Sequence, residues 1–171
     1  MGTLDLTGSR RCRVTTVEEF LAQLPALLDM MASDPRCFVV VAEFEDVRYV
    51  QFWVEPNGGL VAEVISNRGL DALEALSERD EALLRAAHWR EPSGSANPNW
   101  WTEARGSAAR AALMIMTKYA VQCVLGEAPM NRVTIRSWAL ERMEGSFDLV
   151  RYEARLSYHD ALRSLRRELD G

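Results

Sequence analysis

Histidine, lysine and cysteine are all scarce in this 171-residue chain: two histidines, three cysteines and a single lysine, Lys118. Cys12, Cys37 and Cys123 are odd in number and far apart, and two of them sit in apolar runs. Buried, reduced thiols are therefore expected, not a disulfide framework. Only His88 and His159 could add to them, so a zinc site lacks its ligand cluster. No metal and no cofactor is expected. Long apolar runs are missing too. The most apolar stretch, Ala111 to Met116, is followed at once by Thr117 and Lys118, which is short for a bilayer span. The start MGTLDLTGSRRCR has no apolar h-region. A cytoplasmic protein without a membrane partner is the expectation. Net positive charge is missing as well: the formal charge is −5. A nucleic-acid groove needs clustered positive charge, so that class of partner is not expected.

Catalytic signatures are equally sparse. The chain has no G-x-S-x-G, no H-E-x-x-H, no P-loop and no G-x-G-x-x-G. Nucleophilic catalysis needs a base beside the nucleophile. His88 lies late on an amphipathic segment next to Trp89 and reads as a helix-terminal histidine. Glu43, Glu45, Glu55 and Glu63 fall in or beside candidate strands. They read as solvated carboxylates, not as a paired acid and base. A non-enzymatic protein is expected.

The residues that are present outline one α+β domain. Residues 1–14 are polar with glycine and are expected to form a flexible terminus ahead of a single domain over 15–171. Thr15 or Thr16 opens a helix, each with a glutamate three residues on, so a capping box fits either register. Val17, Phe20, Leu21, Leu24, Leu27, Leu28 and Met31 then make one apolar face, and Asp34-Pro35 ends it. Three strands follow at 37–44, 47–54 and 60–66, joined by Glu45-Asp46 and by the turn-forming cluster 55–59. Such short connections predict an antiparallel meander whose middle strand is buried on both faces. Ser77 is expected to cap a helix near 78–88. After the loop 91–99, a long helix is predicted from Thr102 to about Leu125. It is apolar almost all round from Ala111, as a buried central helix would be. Residues 131–139 alternate as a strand. Residues 148–156 fit either a strand or an extension of the closing helix, predicted over 158–169 with Ser157 as its cap. Helices segregated from an antiparallel sheet of a meander plus one or two later strands define the class.

Five tryptophans are generous for this length. Trp100 and Trp101 stand at a predicted loop-to-helix joint, where they fit either a plug of the core or an exposed binding platform; two adjacent indoles on a helix cannot share one direction, so the pair could also divide between core and surface. Ser66-Asn67-Arg68 closes the third strand. Arg68 fits either a clamp on a carboxylate or a hydrogen-bonded hold on the Pro98-Asn99-Trp100 loop.

These segments carry a family resemblance. AEVISNRGL (62–70), HWREP (88–92) and NPNWW (97–101) resemble the TY-Chap family, whose name joins type III secretion chaperones to YbjN-like proteins. The resemblance covers residues 17–138 and leaves 139–171 as a C-terminal extension. His88 departs from the pattern, in which glycine precedes the tryptophan, and the tail after Trp138 is longer than the pattern needs. The resemblance implies a small acidic homodimer that holds an extended segment of a client protein. On this reading Trp53, Asn67, Arg68, Trp89, Pro98, Asn99, Trp100 and Trp101 are the candidate motif or partner-binding residues. The alternatives are a structural or regulatory homodimeric subunit without a client and, more weakly, a small hydrolase.

Overall fold

A computed structural model describes residues 11–33, 37–44, 48–55, 57–70, 75–94, 97–125 and 132–140. The polar start is structured from Arg11. Arg11–Thr16 form strand β1, so the expected flexible terminus is corrected over 11–14. The physical reason is pairing at long range: β1 lies antiparallel to a late strand, with Val14 opposite Thr134. Helix α1 (Val17–Ser33) follows directly. Thr16 caps it in the second of the two possible registers: its hydroxyl accepts from the Glu19 N–H at 3.1 Å, and the Glu19 carboxylate turns back to the Thr16 N–H at 3.5 Å. The apolar face read from the sequence is the buried face, with Leu24 and Met31 fully enclosed.

The meander is present as β2 (Cys37–Phe44), β3 (Tyr49–Val54) and β4 (Leu60–Val64). Gly58 takes the left-handed conformation its turn requires, at φ +82°, and the Glu55 N–H closes the turn on the Gly59 carbonyl at 2.7 Å. That turn sets Val54 opposite Leu60 and, three residues on, Gln51 opposite Glu63. All six residues of β3 are buried, as a middle strand demands. Helix α2 (Glu78–Ala86) is capped by Ser77, as its sequence predicts, and the cap closes into a capping box with Asp80.

The next element differs from the expectation. Trp100–Ala104 form strand β5, paired antiparallel with β4, and helix α3 (Gly106–Ala120) begins only at Gly106. Two tryptophans and a threonine favour a pleated surface. Gly106, at φ +78°, supplies the turn between strand and helix. The last helical turn, Val121–Leu125, widens to π geometry, and Arg48 donates to its Val124 carbonyl at 2.9 Å. Strand β6 (Arg132–Leu140) completes the sheet in the order β1-β6-β2-β3-β4-β5. The expectations for residues 1–10, for the Glu45-Asp46 corner and for the tail after Leu140 lie outside the described residues.

One face of the sheet packs against α1, α3 and the later part of α2 in a single core that includes Phe20, Phe52, Leu84, Leu113 and Val133. Here α3 departs from its sequence reading. It is not buried all round, because a stripe on its outer side stays open, with Ile115 64% and Tyr119 37% exposed. The helix and its π turn together, Gly106–Leu125, are also long and apolar enough to cross a bilayer, which the shorter run Ala111–Met116 is not. Leu113, Thr117, Ala120, Val121 and Leu125 are nonetheless committed to the core of the sheet domain.

Candidate functional site

The sequence motifs meet where β4 ends and β5 begins. Glu63, read from the sequence as a solvated carboxylate, is fully buried. Its Oε2 accepts from Gln51 Nε2 at 2.7 Å and from Asn99 Nδ2 at 3.0 Å. The Asn99 amide also donates to the Tyr49 hydroxyl at 3.1 Å, and its oxygen accepts from the Ser66 N–H at 3.3 Å. Burying a carboxylate is costly unless it is hydrogen-bonded, and these two amides supply that bonding. The network spans β3, β4 and the loop before β5. Sequence reasoning does not single out Tyr49, Gln51 and Glu63 as partners of the motif. A signal exists all the same: Gln51 and Glu63 are polar residues in otherwise apolar strands, at equal distance from the hairpin turn.

Each residue of the S-N-R tripeptide holds a different segment. Ser66 donates to the Pro98 carbonyl at 2.5 Å and accepts from the Arg68 N–H at 3.2 Å. Asn67 pairs with the backbone of Leu76 like a strand neighbour, accepting from its N–H at 2.6 Å and donating to its carbonyl at 3.0 Å. It also donates to Glu81 at 3.1 Å, so it fixes the entry to α2. Arg68 donates to the Gly94 carbonyl at 2.6 Å in an exposed contact. Neither role expected of Arg68 is the one seen: it bonds a loop carbonyl, but at Gly94, while the Pro98-Asn99 segment is held by Ser66.

The tryptophans divide between the two faces because β5 is a strand, whose successive side chains alternate. Trp100 is buried in the helical core, with the Arg85 guanidinium 5.6 Å from its ring centre. Trp101 is partly exposed on the opposite face, under the Arg90 guanidinium at 4.4 Å. Arg90 and Trp101 also exchange backbone hydrogen bonds at 2.9 and 3.1 Å. Trp89 joins the helical core, and Trp53 is buried on the other face. Among the eight candidate residues, Asn67 and Arg68 are exposed, and Pro98 and Trp101 are partly so.

His88 explains how the helix ends without the expected glycine. It adopts φ +65° and so occupies the left-handed position after α2. Its N–H donates to the Arg85 carbonyl at 3.0 Å, and the Trp89 N–H reaches the Leu84 carbonyl at 3.1 Å. That pair of bonds is the Schellman closure, with Trp89 and Leu84 in one core. His88 is thus a helix terminus, as read. Among the described residues no three metal-ligating side chains converge, and Cys123 is a free, partly buried thiol. Across the described strands Glu43 faces Tyr49 and Glu63 faces Gln51, so neither meets a second carboxylate in register.

This arrangement is a scaffold of interlocked loops on an antiparallel sheet, and it defines a small α+β domain. Residues 18–123 match the family described as T3SS (YopN, CesT) and YbjN peptide-binding chaperone 3, and the chain belongs to that family. No curated protein and no solved structure matches the chain.

Proposed function

We propose that this protein is a non-enzymatic chaperone of the cytoplasm that holds an extended segment of a client protein along the outer edge of β1. Membership of a peptide-binding chaperone family supports the reading. The observation that carries the location is the strand order. A meander alone would offer its own edges, but β6 covers β2 and β5 covers β4. The β5 edge is itself engaged by Arg90 at Trp101. Among the described residues the six-residue edge of β1 is the longer one left without a neighbouring strand. An extended client there gains main-chain hydrogen bonds, and Val14, 51% exposed, offers its side chain beside them.

The exposed stripe of α3 supports a second element of the reading, a homodimer. Ala108, Ala111, Ala112, Ile115, Tyr119 and Gln122 recur at helical spacing on the side away from the core.

Client addition is tested by hydrogen exchange with and without a bound peptide selected from an array. Slower exchange at alternate amides of 11–16, reduced by Val14→Asp, is the expected result. Protection at α3 instead, with β1 unchanged, overturns the edge assignment. Failure of any peptide to bind leaves the homodimeric subunit as the function.

A further inference from the structure

Charge is divided by sign across the six strands. The outer pair on one side, β1 (RCRVTT) and β6 (RVTIRSWAL), holds Arg11, Arg13, Arg132 and Arg136 and no carboxylate. The other strands hold the reverse. Glu43 lies in β2, Glu63 in β4 and Glu103 in β5, and none of β2, β3, β4 and β5 contains lysine or arginine. The chain as a whole has a formal charge of −5. A border of arginines on the sheet therefore opposes the sign of the molecule.

Nearby carboxylates reduce this positive charge without reversing it. Glu43 accepts from Arg136 at 2.8 Å at the boundary between β2 and β6. Glu19 is turned to the Thr15 hydroxyl and the Thr16 N–H, where it closes the cap of α1. Glu18 is exposed in the first turn of α1. The arginines of β1 and β6 still outnumber Glu18, Glu19 and Glu43. At physiological salt the screening length is about 8 Å, so charges beside the β1 edge outweigh those of the distant surface.

The edge itself restricts the kind of anion. A strand edge presents both N–H and C=O groups, and an extended polypeptide satisfies both. A phosphodiester backbone has no N–H to donate. Arg11 and Arg13 stand two residues apart in β1, and neighbouring strands advance by the same rise, about 3.3 Å per residue. Acidic residues at every second position of a client strand would keep in step with them. Val14, exposed beside Arg13, favours an apolar or β-branched residue in between.

We infer that the β1 edge selects an acidic extended segment, with carboxylates two residues apart and an apolar residue between them. Opposite charges across the strand pair then set the register, while the main chain supplies the ladder. The inference rests on the client reading above and adds to it the chemistry of the client.

Short labelled peptides that alternate glutamate, glutamine or lysine with valine test it, by fluorescence anisotropy with the full chain. The glutamate peptide should bind several-fold tighter than the glutamine one, with lysine weakest, and added salt should narrow the differences. Arg13→Glu should reverse the order and Arg13→Gln should flatten it, at melting temperatures close to that of the unmodified protein. Should Arg13→Glu unfold the chain, the glutamate–glutamine comparison on the unmodified protein still carries the test. Equal affinities for the three peptides overturn the inference but leave a client at the edge. Binding of a single-stranded oligonucleotide as tight as that of the glutamate peptide overturns it too, because charge alone then suffices. Binding of none of them overturns the client reading on which it rests.

Discussion

Asn99 and Arg68 belong to matching motifs, but their surroundings give them different weights. Asn99 is buried, and its amide serves Glu63, Tyr49 and the Ser66 backbone at once. Asn99→Ala would strip a donor from an enclosed carboxylate, and a loss of about 2–3 kcal/mol in chemical denaturation is expected. Arg68 makes an exposed bond to Gly94, in which water competes. Arg68→Ala should cost under about 1 kcal/mol. Equal losses at the two positions would show that the exposed contact matters more than its solvation implies. The motifs are legible in the sequence, but this ranking is not. A tripeptide gives residue types, whereas burial depends on which strand lies opposite. The misreading of Glu63 has the same origin: a lone glutamate in a strand is usually solvated, and only the pairing with Gln51 and Asn99 shows that it is not.

At the scale of elements, those with a local punctuation mark are legible. Ser77 and its acidic first turn mark α2, and the turn at 55–59 fixes the register of β3 and β4. Strands β1 and β5 escape a sequence reading because their places in the sheet depend on distant partners: β1 pairs with β6, and β5 takes its place only beside β4. Six and five residues cannot show a period strongly enough to outweigh a neighbouring helix pattern, so each merges into the helix or the terminus beside it. The termini of the helices yield two expectations. Replacing Thr16 by alanine removes the hydroxyl that caps α1 and should lower stability by about 1 kcal/mol. His88→Gly relieves a left-handed side-chain residue, partly offset by the freer unfolded chain, so a gain of about 0.5–1 kcal/mol is expected. Thermal or denaturant melts of the two variants should move in opposite directions. A destabilised His88→Gly would mean that the imidazole makes a contribution larger than the backbone relief.

At the scale of the molecule, the sheet leaves two surfaces with different prospects: the β1 edge and the outer side of α3. The last of these is the surface proposed for a homodimer. An apolar stripe along one helix is narrower than the roughly 800 Å² per partner of a standard interface. Self-association through it should therefore be weak, with a dissociation constant on the order of micromolar. The central contact would be Ile115, the most exposed large apolar residue of α3, one turn from Tyr119. Ile115→Glu places a charge at that contact and, in a symmetric pair, sets it near its own copy, while the buried Leu113 and Thr117 keep the helix on the sheet. Sedimentation of the unmodified protein at tens of micromolar should show dimer, and the variant should show monomer with an unchanged melting temperature. A dimer that survives Ile115→Glu would move the interface away from α3, and the β1 edge, where two copies could pair strand to strand, would be the next surface to test by substitution.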